Sequence, residues 1–232
     1  MPSLSGTIDA YCYRNSTNTS VATAAWTSYA KSAASVGVNS NGYICTGIVK
    51  FTTPAFKGRC TNLQIKVPFI KGSASSAPTS YTLNYAISSS DANKAAYVTT
   101  SAVTTSSDPY QLAKGTVTLS GLTASLQEST CVNLSINAGT SNNISTVKPS
   151  TTYYLFFWPT DSTKNKIVQN WWSTSYHTMK VTYEYISGVF MPSAGGTVYA
   201  YDVYIADTSG SIVPCDVYIG NTDGKPVLSY IP

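Results

Sequence analysis

Between residues 1 and 187, apolar positions fall into short runs separated by turn-rich polar stretches. Nine runs predict strands, at residues 6–13, 43–52, 62–70, 80–88, 115–119, 130–137, 152–158, 166–171 and 179–186. In the last, Val181, Tyr183 and Tyr185 alternate with Lys180, Thr182 and Glu184, as in a strand with one wet face. The seventh run is apolar on both faces, with Tyr154, Phe156 and Trp158 on one side and Tyr153, Leu155 and Phe157 on the other. Such a strand belongs at the centre of a packed structure or gives one face to a subunit contact. Pro68 inside "QIKVPFIKG" predicts a bulge or a sheet edge, because proline has no N–H for a ladder. The intervening segments, such as "GSASSAPTS" and "NAGTSNNISTVKPS", have loop chemistry. Ala-rich sequence around residues 22–34 predicts one short helix. Nine strands and one helix make an all-β, antiparallel two-sheet sandwich of jelly-roll type.

A Pro/Gly/Ser-rich stretch, "SGVFMPSAGG", follows. It divides the chain into a sandwich domain (1–187), a linker (188–196) and a small hairpin unit (197–232). The unit is a tandem repeat: "YDVYIADTSGSIVP" (201–214) is followed at once by "CDVYIGNTDGKPVL" (215–228). Val203 and Ile205, then Val217 and Ile219, mark alternating strands. The turns "DTSG" and "NTDG" carry Asp or Asn first and Gly fourth, as type I turns prefer. Each copy predicts a β-hairpin, and so small a sheet is marginal in water unless it docks on something. Self-assembly, as a homotrimer, is the expectation. Its interface residues are Val203, Tyr204, Ile205, Val217, Tyr218 and Ile219.

Composition narrows the setting. Charged residues make up 10 % of the chain, where about 25 % is usual, so Ser, Thr, Asn and Gly carry its polarity. The formal charge of +4 comes from scattered Lys and Arg, which argues against a nucleic-acid partner. No run approaches a membrane span, and the N-terminal residues lack the features of a secretion signal. Five cysteines (Cys12, Cys45, Cys60, Cys131, Cys215) are odd in number and widely spaced, which predicts reduced thiols packed as small hydrophobes. The expected history is folding in a reducing cytoplasm and release by lysis.

Candidate chemistry is sparse. The single histidine, His177, gives no multi-His metal site, and its neighbour Ser175 lies two residues away with no nucleophile–base geometry. Asp91, Asp108, Asp161, Asp207 and Asp223 sit at turn signals, where local capping explains them better than a glycosidase pair. "NTDG" lacks the remaining ligands of a calcium loop. No catalytic residue, metal or cofactor is therefore expected. Trp171, Trp172, Tyr176 and His177 lie in a polar segment and are the candidate glycan-binding residues, flat rings beside Asn and Ser. Core packing and an oligomer interface are the competing roles for them.

The "V-Y-I … D/N-G-S/K … P" repeat resembles those that close tail-associated structural proteins of phages and prophages of Gram-positive bacteria. "PSTTYYLFFWP" and "NWWSTSYH" are similar to the late strands of jelly-roll modules in such proteins. "GTIDAYCY" with "GIVKFTTPAFKGRCTNLQIKVPF" resembles carbohydrate-binding-like sandwich domains. The resemblance implies a non-enzymatic virion protein (tail tip, fibre or head decoration) that self-assembles beside other virion proteins and contacts host-surface glycans. The alternatives are a stand-alone glycan-binding adhesin and a tail-borne polysaccharide-degrading enzyme.

Overall fold

In a computed structural model, the described residues are 1–9, 11–15, 26–30, 33–73, 77–171 and 175–184, with six short strands beyond them. Among these residues there is no α-helix; the chain is all-β. It divides into two units. One comprises residues 1–56 and 60–183, the other residues 57–59 and 184–232.

The larger unit holds β1 (Ser3–Asp9), β2 (Tyr11–Asn15), β3 (Trp26–Ala30), β4 (Ala33–Val38), β5 (Ile44–Cys45) and β6 (Gly47–Thr52). There follow β7 (Arg59–Lys71), β8 (Tyr81–Ser88), β9 (Gln111–Leu119), β10 (Cys131–Asn137), β11 (Thr152–Pro159), β12 (Lys166–Trp171) and β13 (Thr178–Glu184). One antiparallel sheet runs β1–β6–β11–β8–β9, and a second runs β10–β7–β13–β1. Successive strands alternate between the sheets: β6 in the first, β7 in the second, β8 and β9 back in the first, β10 in the second, β11 in the first, β13 in the second. This interleaving is that of a jelly roll, with two sheets forming a sandwich.

Two strands belong to more than one sheet, and each changes partner at a residue suited to it. In β1, Ser3–Gly6 pair with β13 and Thr7–Asp9 with β6. At the crossing, a Cβ on Gly6 would fall 2.0 Å from Met179 Cε and 2.4 Å from the Thr52 carbonyl oxygen, so only glycine fits. In β7, residues 62–68 pair with β10, and Phe69–Lys71 turn to β12. Pro68 stands at that change, and its carbonyl accepts a 2.8 Å hydrogen bond from the Asn170 amide. β12 also pairs with β4, which pairs with β5.

The expected helix around residues 22–34 is not what forms. Residues 26–30 are strand β3, paired with β2, and residues 33 and 34 open β4; residues 22–25 lie outside the described residues. Alanine's helix preference is a weak prior, and pairing with β2 and β12 outweighs it.

Both faces of β11 are buried. Tyr153, Leu155 and Phe157 enter the core between the sheets with Leu63, Ile65, Val67, Leu83, Ile87 and Val181. Phe156 and Trp158 face the other way, into a second cluster with Ile48, Ala86, Tyr97 and Val103. The cover on that side is the chain's own excursion between β8 and β9, residues 89–110. Tyr97 stacks on Phe156 with ring centroids 4.0 Å apart and leans on Trp158 at 5.0 Å. Trp158 Nε1 donates to the Ser101 carbonyl (2.8 Å) and Thr46 Oγ1 to the Tyr97 carbonyl (2.8 Å). A doubly apolar strand thus needs no neighbouring subunit here.

The smaller unit contains β14 (Val189–Pro192) with β15 (Val198–Tyr201), β16 (Tyr204–Ala206) with β17 (Ile212–Pro214), and β18 (Tyr218–Gly220) with β19 (Pro226–Leu228). Residues 188–196, expected to be a linker, hold β14. Its pair Met191↔Tyr199 is followed by Ile205↔Val213 and Ile219↔Val227, each 14 residues further on. The repeat therefore has three copies in phase, the first being 187–200, "SGVFMPSAGGTVYA". The turns at 207–210 and 221–224 lie outside the described residues, as do Val203 and Val217.

Candidate functional site

Three of the four aromatic-segment candidates, Trp171, Tyr176 and His177, lie among the described residues and differ in exposure. Trp171 ends β12 and is 42 % exposed. Tyr176 is half-buried in the turn before β13, while His177 is buried at 8 % exposure. Trp172 lies outside the described residues.

A different feature lies around Lys66. The Asn170 bond to Pro68 sets the end of β12 beside β7, two residues beyond Lys66. Tyr176 acts electrostatically on Lys66, whose ammonium is held above its ordinary range chiefly by its hydrogen bond to Glu128. Lys66 Nζ donates to both Glu128 oxygens, at 2.9 and 3.1 Å. From Lys66, a groove of about 380 Å³ crosses the outer face of the β10–β7–β13–β1 sheet, lined by Asn133 and Ser135, Gln64 and Lys66, Thr178 and Lys180, and Ser5.

Strand alternation builds this face. In β7, Leu63, Ile65 and Val67 point into the core, leaving Gln64 and Lys66 outside. In β10, Val132, Leu134 and Ile136 point inward and Asn133 and Ser135 outward; in β13, Met179 and Val181 are inward and Lys180 outward. Pairing then sets Lys66 opposite Asn133, Gln64 opposite Ser135 and Lys180 opposite Ser5. Within single strands these residues look like ordinary solvated positions. Only the pairing of strands distant in sequence brings them together.

The carboxylates are spread across the unit in local roles. Asp91 pairs with Lys94, Glu128 with Lys66 and Asp161 with Lys166. Glu184, the last residue of β13, pairs with Arg59, the first of β7, and both of these strand ends belong to the smaller unit. Partial desolvation acts to raise the Asp161 carboxyl, but the Thr163 hydroxyl, the Thr163 backbone N–H (2.8 Å) and Lys166 together hold it below the usual carboxylate range. Asp108 is fully buried and holds the 89–110 excursion: Tyr97 Oη donates to its Oδ2 (2.5 Å), and the Tyr110 N–H to its Oδ1 (3.0 Å). Among the described residues no three His, Cys, Asp or Glu are placed to hold a metal ion.

Cys45 and Cys60 are buried thiols and Cys131 is half-buried; the side chains of Cys12 and Cys215 are not among those described. Among the described residues no helix is long and apolar enough to cross a membrane. No protein-family model matches the chain, and no curated protein does.

Proposed function

We propose that this chain is a non-enzymatic structural protein of a virion, a tail tip, fibre or head decoration, which self-assembles through its C-terminal repeats and contacts host-surface glycans. The observation that carries the reading is the set of three hairpins repeating in register every 14 residues. Among the described residues each is a two-stranded sheet, hydrogen-bonded only within itself. A two-stranded ribbon is marginal in water. Repeats of one supersecondary unit gain stability by stacking on one another and on other copies. The sandwich supplies a rigid, charge-poor body for such an assembly. The local pairing of Asp91, Asp108, Glu128, Asp161 and Glu184 supports a non-catalytic role, since a glycosidase needs two carboxylates facing each other across a cleft.

Mass photometry tests the assembly. The full chain is expected as a trimer, and a chain ending at residue 186 as a monomer with an unchanged β spectrum by circular dichroism. A full chain that stays monomeric at micromolar concentration overturns the assembly reading.

A further inference from the structure

We propose, resting on the reading that the chain contacts surface glycans, that the groove on the outer face of the β10–β7–β13–β1 sheet is the contact site and that its ligand is an acidic, hydroxyl-rich polymer. Three features of the groove select that chemistry. First, its exposed side chains are amides and hydroxyls (Gln64, Asn133, Ser135, Ser5), which both donate and accept hydrogen bonds and so match a polyhydroxylated chain. Second, two ammonium groups, Lys66 and Lys180, lie in it, and no carboxylate lines it. Glu128 engages Lys66 through both oxygens and keeps that ammonium fixed beside the groove. Third, the polar side chains are spread over four strands, about 14 Å at the usual strand spacing, rather than converging on one point. A small anion wants convergent donors; an extended chain can meet spread ones in sequence.

The lining also discriminates against other polymers. It holds no aromatic ring, so a single-stranded nucleic acid would find no platform for its bases. Lys66 already has Glu128 as its partner of opposite charge, so the Lys180 ammonium is the group that a neutral glycan would bring no charge to meet. The negative charge of the ligand can be a uronate carboxylate or a backbone phosphodiester, and Lys180 meets either.

Affinity electrophoresis and calorimetry of the full chain against four defined polymers test the proposal: polygalacturonate, poly(glycerol phosphate), dextran and single-stranded DNA. Retention by one or both acidic hydroxyl-rich polymers is expected, weakening as salt is raised. Which of the two retains it identifies the source of the charge. Lys180→Glu is expected to weaken binding at least tenfold. Lys164→Glu, at an exposed position outside the groove, is expected to leave it unchanged. Equal melting temperatures for both variants and the parent exclude misfolding as the cause. Retention by dextran that Lys180→Glu does not alter overturns the groove while leaving glycan contact intact. Binding to DNA as tight as to the sugar polymers overturns the ligand class. Retention by none of the four overturns both this inference and the glycan contact, while assembly is judged separately by mass photometry.

Discussion

Asp108 is a carboxylate with no exposed surface, tolerable there because three groups meet it: the Tyr97 hydroxyl, the Tyr110 N–H and the Asn93 amide at 3.4 Å. "SSDPY" marks it as a turn residue, and the bond to Tyr110 two positions on fits that reading. Its reach to Tyr97, eleven residues back, is invisible from the sequence, because the intervening excursion must first fold over Phe156 and Trp158. Asp108→Ala is expected to lower stability by roughly 2–4 kcal/mol, since the buried Tyr97 hydroxyl loses its charged acceptor. Asp108→Asn keeps a carbonyl oxygen for the same hydroxyl and is expected to lose about half as much or less. Urea midpoints for the two variants and the parent at pH 7 measure both. Equal midpoints for all three would show that the carboxylate does not hold the excursion.

At the scale of elements, the change of sheets within β1 depends on Gly6. Gly6→Ala sets a methyl against the Thr52 carbonyl, which is backbone and cannot swing aside as the Met179 side chain can. A loss of about 1–3 kcal/mol is expected, typical of forcing extra volume into a packed site. It reads as a lower thermal midpoint, and pairing Gly6→Ala with Met179→Ala should recover only part of it. All nine runs of apolar sequence fall on strands within the described residues, 6–13 and 43–52 on two each, and Lys166–Trp171 does so to the residue, because alternation is a local signal that survives folding. β3 and β4 were hidden by alanines, whose preference is weak and whose partners, β2 and β12, are distant or unreadable locally. The first hairpin was hidden because "VFMP" shares only its apolar pattern with "VYIA" and "VYIG", and its Pro and Gly residues read as a linker. The groove was illegible for a different reason. Gln64, Asn133 and Lys180 sit on three strands separated by scores of residues, and nothing local marks them as neighbours. The aromatic segment drew attention instead, yet among its described rings only Trp171 is strongly exposed.

For the whole molecule, the unusual feature is how many weakly acidic groups the sandwich buries. Burial pushes the Cys60 thiol up to about 11, and pushes the phenols of Tyr81, Tyr97 and Tyr153 above their ordinary value. All four are at most 4 % exposed. Each is neutral in the folded chain at a pH where the unfolded chain has already lost the proton. The folded state then binds more protons than the unfolded one, so stability falls as pH rises. The contribution of each group is fully present below its unfolded value, about 9 for the thiol and 10 for the phenols, and is lost above it. Once these values are passed, each group adds a slope of up to about 1.4 kcal/mol per pH unit. The sandwich is therefore expected to hold its stability from neutral pH to about pH 9 and then to unfold cooperatively within the next two or three units. Absorbance at 295 nm, which reports phenolate, should rise in two phases, a first from solvent-exposed tyrosines among the 18 and a second, from the buried rings, in step with the loss of β signal in circular dichroism. A single phase that runs to completion before the β signal falls would show that Tyr81, Tyr97 and Tyr153 are open to water in the folded protein.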